Sequence, residues 1–161
     1  MLTYPLSRGQ YLLGKVLFNV LVAVLQAAVT VLLAALLLGV RLRVEGWPLL
    51  AAGIIVGTAG WFFFYAAFAL RIRRNDAFNT VTSIFYFVFL FASSMFYPLD
   101  PLPPTFRAIA SVNPITWHVD VPRYATIGLG DPAWIALEAL AFTLFTAAGF
   151  GAAVHALRNQ E

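Results

Sequence analysis

Cysteine is absent from the 161 residues, which excludes disulfides, iron–sulfur clusters, thiolate zinc and a cysteine nucleophile. Charge is scarce: 11% of the residues are Asp, Glu, Lys or Arg and 61% are hydrophobic, whereas a soluble domain runs near a quarter charged and half apolar. One small aqueous core has no room for that much apolar side chain. The net charge of +3 does not point to nucleic acid, because the basic residues do not gather on one soluble face.

Long uncharged runs are what the chain has instead. Val16–Val40, Trp47–Leu70 and Ala77–Leu99 contain no charge, and Ala133–Leu157 contains only Glu138 and His155. Each exceeds the roughly 20 helical residues that cross a hydrocarbon core. The reading is an all-α, polytopic membrane helix bundle, a single domain over 1–161, with four transmembrane helices at about 11–40, 48–70, 78–98 and 133–157. The first run is too long for a cleaved signal peptide and itself serves as the targeting segment.

Basic residues set the orientation. Arg8, Lys15, Arg71, Arg73, Arg74 and Arg158 fall on one side, and Arg41, Arg43, Arg107 and Arg123 on the other. The excess, with the Arg71–Arg74 cluster directly at a span end, places both termini in the cytoplasm. Ser7-Arg-Gly-Gln10 has the form of a capping box, and Asp131-Pro132 that of an N-cap followed by proline at the first helical position.

The 98–131 stretch, extracellular on this topology, is unlike the rest. It holds most of the prolines yet keeps Leu102, Phe106, Ile109, Val112, Trp117 and Tyr124. Two short re-entrant or interfacial helices are expected, the first between Pro103-Pro104 and Asn113-Pro114, with Trp117 and Tyr124 at the water–lipid boundary. A surface loop packed on the bundle is the alternative.

Motifs for chemistry are few. Gly9 to Lys15 matches a phosphate loop up to its last position, where Val16 leaves no hydroxyl for magnesium. His118 and Asp120, two residues apart, do not share a helix face, and two histidines without cysteine make no zinc site. Ser83, Ser93 and Ser94 lack an activating histidine or aspartate within the spans. No catalytic residue, metal or cofactor is assigned. Glu138, about a turn and a half into the last span, is explained by pairing with Arg123 or by interfacial water; a proton-coupling role is the alternative. Gly53, Gly57 and Gly60 form a small-residue stripe for close helix packing, the partner unspecified. Eight aromatic residues between Phe78 and Tyr97 crowd the third span; packing is their default role, and a route for amphipathic cargo the alternative.

The order of these parts resembles the ABC-2 family of ABC-transporter permeases. The resemblance rests on Leu2–Arg8 leading through Tyr11–Lys15 into a span, on the Arg71–Ala77 turn, and on Phe96-Tyr-Pro-Leu-Asp100, Leu102-Pro-Pro104 and Asn113-Pro-Ile-Thr116 ahead of the final span. It implies a plasma (inner) membrane exporter subunit driven by a separate ABC ATPase subunit, working as a homodimer or with a second permease subunit. Hydrophobic or lipid-linked cargo, or polysaccharide, would be moved out of the cytoplasm. Tyr4, Pro5, Leu6, Ser7 and Arg8 would contact the ATPase subunit. Pro98, Asp100, Pro103, Pro104, Asn113 and Pro114 would belong to the extracellular gate segment. Members of that family carry two further spans ahead of the point where this chain starts, which implies a shortened chain or a half-length subunit. A non-transporting membrane scaffold is the competing function.

Overall fold

The computed structural model describes residues 8–97, 99 and 101–158. Among these residues six α-helices follow one another: α1 (Arg8–Leu38), α2 (Trp47–Ala69), α3 (Asn75–Phe91), α4 (Pro104–Ser111), α5 (Pro114–Ile127) and α6 (Pro132–Arg158), with a 3₁₀ turn at Val44–Gly46 before α2. Among the described residues, three helices are long and apolar enough to cross a membrane: Gly9–Leu38, Val44–Ala69 and Pro132–Leu157.

The third expected span is shorter than the sequence suggests. The expectation was 78–98, but α3 stops at Phe91 after 17 residues, about 26 Å of helix against a hydrocarbon core of ~30 Å. The reason is polar. Ser93 Oγ donates to the Leu90 carbonyl at 2.7 Å, and the Asn113 amide donates to the Phe89 and Ala92 carbonyls, each at 2.8 Å. The last carbonyls of α3 thus find side-chain donors in place of another helical turn.

Asn113 does more than end α3. Its Oδ1 accepts from the Ile115 N–H at 2.9 Å and so caps α5, with Pro114 at the first helical position. Replacing Asn113 by alanine is expected to cost roughly 2–3 kcal/mol, one cap plus two half-buried carbonyls that lose their side-chain donor. Asn113→Asp keeps the cap but sets a carboxylate against those carbonyls, so it should be no more stable than the alanine variant. Chemical unfolding in detergent micelles measures both.

The bundle is built around α2 and α6, with α5 packed against both. Along α2, Gly57, Gly60, Phe63 and Ala67 turn inward at helical spacing. Phe63 meets Phe150 edge-on at 5.0 Å, and a Cβ on Gly149 would lie 3.3 Å from that of Phe63. An aromatic slab joins three helices: Trp61 and Phe64 of α2, Phe85 and Phe89 of α3, and Phe142 and Phe145 of α6. The rings of α3 therefore divide. Phe85 and Phe89 pack into the slab, while Tyr86, Phe87 and Phe91 are exposed.

Helix α1 lies at the edge. Only Leu12 and Val16 are buried among its described side chains. Its 31 residues reach about 46 Å and end where Gly39 turns left-handed at φ 64°. The connection to α2 is pinned by the Arg43 N–H donating to the Thr126 carbonyl at 2.8 Å, and the Arg43 guanidinium lies over the Tyr124 ring at 5.4 Å.

Two short helices occupy the proline-rich segment. Helix α4 opens at Pro104 and α5 at Pro114. The apolar side of α4 faces outward: Phe106, Ile109 and Val112 are exposed, and only Ala110 is buried. Trp117, expected at a water–lipid boundary, donates from Nε1 to the Ser111 carbonyl at 2.7 Å, tying the end of α4 to α5. Asp131 caps α6 through Oδ1, accepting from the Ala133 and Trp134 N–H groups at 2.9 and 3.1 Å.

Candidate functional site: a polar latch beside a glycine seam

The seam is a run of notches along α2. A Cβ on Gly53 would sit 3.5 Å from the Pro122 ring, ordinary contact. One on Gly60 would come within 2.6 Å of Thr146 Oγ1 and 2.8 Å of the Phe142 ring. At Gly57 the conflict is greatest, because a Cβ would fall onto His118 Nε2, with the neighbouring ring carbon only 2.6 Å away.

That histidine is held from three sides. Trp61 Nε1 donates to His118 Nδ1 at 3.0 Å, and the imidazole stacks on Phe142 at 5.1 Å. With Nδ1 accepting, the ring proton belongs on Nε2. Burial lowers the His118 pKa from 6.5. The folded state therefore binds this proton less readily than the unfolded chain. The resulting stabilisation is complete above the unfolded pKa near 6.5 and is lost as pH falls through the folded value. The melting-temperature advantage of the native chain over His118→Gln should accordingly shrink between pH 7.5 and pH 5.5 in thermal scans.

Across α5 lies the latch. Asp120 Oδ1 accepts from Arg123 Nη1 at 2.5 Å and from Ser94 Oγ at 2.7 Å. The other arm of Arg123 reaches the Ser94 carbonyl at 2.8 Å, and the Ser94 N–H donates to Thr116 Oγ1 at 3.1 Å. The non-helical chain after α3 is thereby strapped to α5. His118 faces α2 and α6 while Asp120 faces Ser94, in keeping with their two-residue spacing.

Ser94 meets an aspartate from outside the expected spans, but Asp120 is already ion-paired and His118 is engaged with Trp61, so no nucleophile–base pair results. One expectation needs correction. Glu138 does not pair with Arg123, whose guanidinium serves Asp120 and Ser94. Glu138 is only 3% exposed, and its Oε2 has no hydrogen-bond partner.

The remaining assigned residues are scattered. Tyr4, Pro5, Leu6 and Ser7 lie outside the described residues, as do Pro98 and Asp100. Arg8 opens α1. Pro103 precedes α4, Pro104 begins it, and Asn113 and Pro114 start α5. Sequence reasoning missed Trp61, Asp120 and Arg123 as partners. The i, i+3 spacing of Asp120 and Arg123 was a readable pairing signal; Trp61 and His118, 57 positions apart, carried none. Among the described residues, no group of three or more His, Asp or Glu side chains is placed to hold a metal ion.

Compared with known proteins, the chain matches the family profile described as ABC-2 type transporter over residues 1–127, from the entry to α1 through the end of α5. No curated protein and no solved structure gives a significant match. Agreement over that much of a chain whose long helices suit lipid places it: the protein belongs to the ABC-2 type transporter family and is a multi-pass, permease-type membrane protein, a class that conducts transport without being itself catalytic.

Proposed function

We propose that this chain is the permease part of an ATP-driven exporter in the inner membrane, fuelled by a separate ABC ATPase subunit and paired with a second permease copy. The observation that carries the reading is the family match running through the latch and both short helices. The cargo class that fits is hydrophobic or lipid-linked, or a polysaccharide.

On this reading the chain crosses four times. Helix α3 provides the third crossing together with the stretch from Ala92 to Tyr97, whose backbone is partly satisfied by Asn113, Thr116 and Arg123. Non-helical chain is tolerated at membrane depth where protein supplies its partners. Four crossings and the arginine distribution favour cytoplasmic termini, with α4 and α5 entering from the outer side and α5 reaching the depth of Gly57 and Trp61 in the middle of α2. The outward apolar side of α4 then meets lipid, and the latch holds the outer gate segment on the bundle. Tyr4 to Arg8 lie next to the ATPase subunit, and Gly53, Gly57 and Gly60 serve packing within the permease.

Co-expression of the full chain with its ATPase subunit, followed by reconstitution into vesicles, tests this. The expected result is co-purification and nucleotide-dependent cargo movement, with coupling lost on substituting Leu6 and Arg8. An ATPase rate indifferent to those substitutions, with no transport, would favour a membrane scaffold.

A further inference from the structure

A cavity of about 640 Å³ opens between α4, α5 and the start of α6, with Arg107, Asp120, Arg123, Trp134 and Glu138 in its lining. Leu99, Leu129 and Ile135 add apolar wall. Glu138 is the unusual member, a carboxylate buried to 97% whose Oε2 finds no donor. Trp134 hydrogen-bonds to the carboxyl group, the charges acting on it are those of Asp120 and Arg123, and Arg123 is committed to Asp120 at 2.5 Å. Asp131, at the rim, is occupied in capping α6. Two carboxyl groups thus share one guanidinium at the inner end, and Glu138, when ionised, has no cation of its own in this apolar-walled space. A buried charge in that condition calls for a cationic donor. The terminal carboxyl torsion of glutamate is soft, so an oxygen turns into the cavity at little cost.

We propose that this cavity binds a primary ammonium group of an amphiphile, with Glu138 as its acceptor. Two sources share that chemistry, the headgroup of a phosphatidylethanolamine and a soluble alkylamine. The lipid also offers a phosphodiester, which the Arg107 side of the cavity suits. The binding site is independent of whether the chain exports anything, and its test needs neither nucleotide nor ATPase subunit.

Native mass spectrometry of the delipidated full chain, given equal phosphatidylethanolamine and phosphatidylcholine, reads the lipid arm. The choline headgroup carries no N–H donor. Preference for the ethanolamine lipid on the order of ten-fold is expected, the scale of one charge-assisted hydrogen bond. It should vanish in Glu138→Gln and survive in Glu138→Asp. Thermal protection in phosphatidylcholine nanodiscs by octylammonium, compared with octyltrimethylammonium, reads the soluble arm. Discrimination in the first assay identifies a lipid, and in the second alone a soluble amine. Equal binding of both members of each pair by the native chain overturns the proposal, as does a preference that Glu138→Gln leaves unchanged.

Discussion

Gly57→Leu should strongly destabilise the bundle. The substituent would occupy the place of the His118 imidazole, a ring already fixed by Trp61 and by stacking on Phe142. Overpacking a close-fitting interior costs typically about 1–3 kcal/mol and sometimes more. The upper end is expected here because one wall is the backbone of α2 and the other a hydrogen-bonded ring. The clash has a specific remedy, since His118→Ala removes the obstructing side chain. The double variant Gly57→Leu/His118→Ala should recover part of what the first substitution loses, so the two losses will not add. Thermal unfolding of the four proteins in the same detergent decides the matter. Strictly additive losses would mean that the ring is not what Gly57 accommodates. Gly53→Ala is the control: with 3.5 Å of room toward Pro122 it should be close to neutral.

Arg123→Ala should be almost as damaging. Its two arms serve different acceptors, the Asp120 carboxylate and the Ser94 carbonyl, and both lose a charged donor at once. Breaking a buried pair from one side costs about 3–5 kcal/mol. The pair here retains some exposure, 25% and 19% of the two side chains, so about 2–3 kcal/mol is expected. Arg123→Lys should recover little, because an ammonium cannot reach two acceptors in the guanidinium's forked arrangement. Combining Arg123→Ala with Asp120→Asn should regain more than lysine does, since it removes the stranded charge. Denaturant titrations followed by tryptophan fluorescence, with Trp117 beside the latch, provide the measurement. A lysine variant as stable as the native chain would show that charge alone matters at this position.

The sequence was most legible where one local rule governed. Uncharged runs located α1, α2 and α6, and Asp131-Pro132 marked the start of α6. Pro103-Pro104 and Asn113-Pro114 bracketed α4. The small-residue stripe announced a close helix contact, while its partners, Pro122, His118 and Thr146, came from the tertiary arrangement. Apolar content alone misjudged α3. Its run continues to Leu99, but the helix ends at Phe91 because an asparagine 22 residues further on supplies donors to its carbonyls. Hydropathy has no access to such a contact. The same limit hid the latch, since Ser94 and Asp120 come together only when the chain after α3 folds back over α5.

Asn113 carries a chemical consequence beyond its hydrogen bonds. Asparagine ages when the following residue's backbone nitrogen attacks the side-chain carbonyl and closes a five-membered imide. That nitrogen here belongs to Pro114, which has no hydrogen to lose. The amide joining the end of one helix to the start of another is therefore shielded from spontaneous conversion to aspartate, the change that would turn its two donated contacts into repulsions.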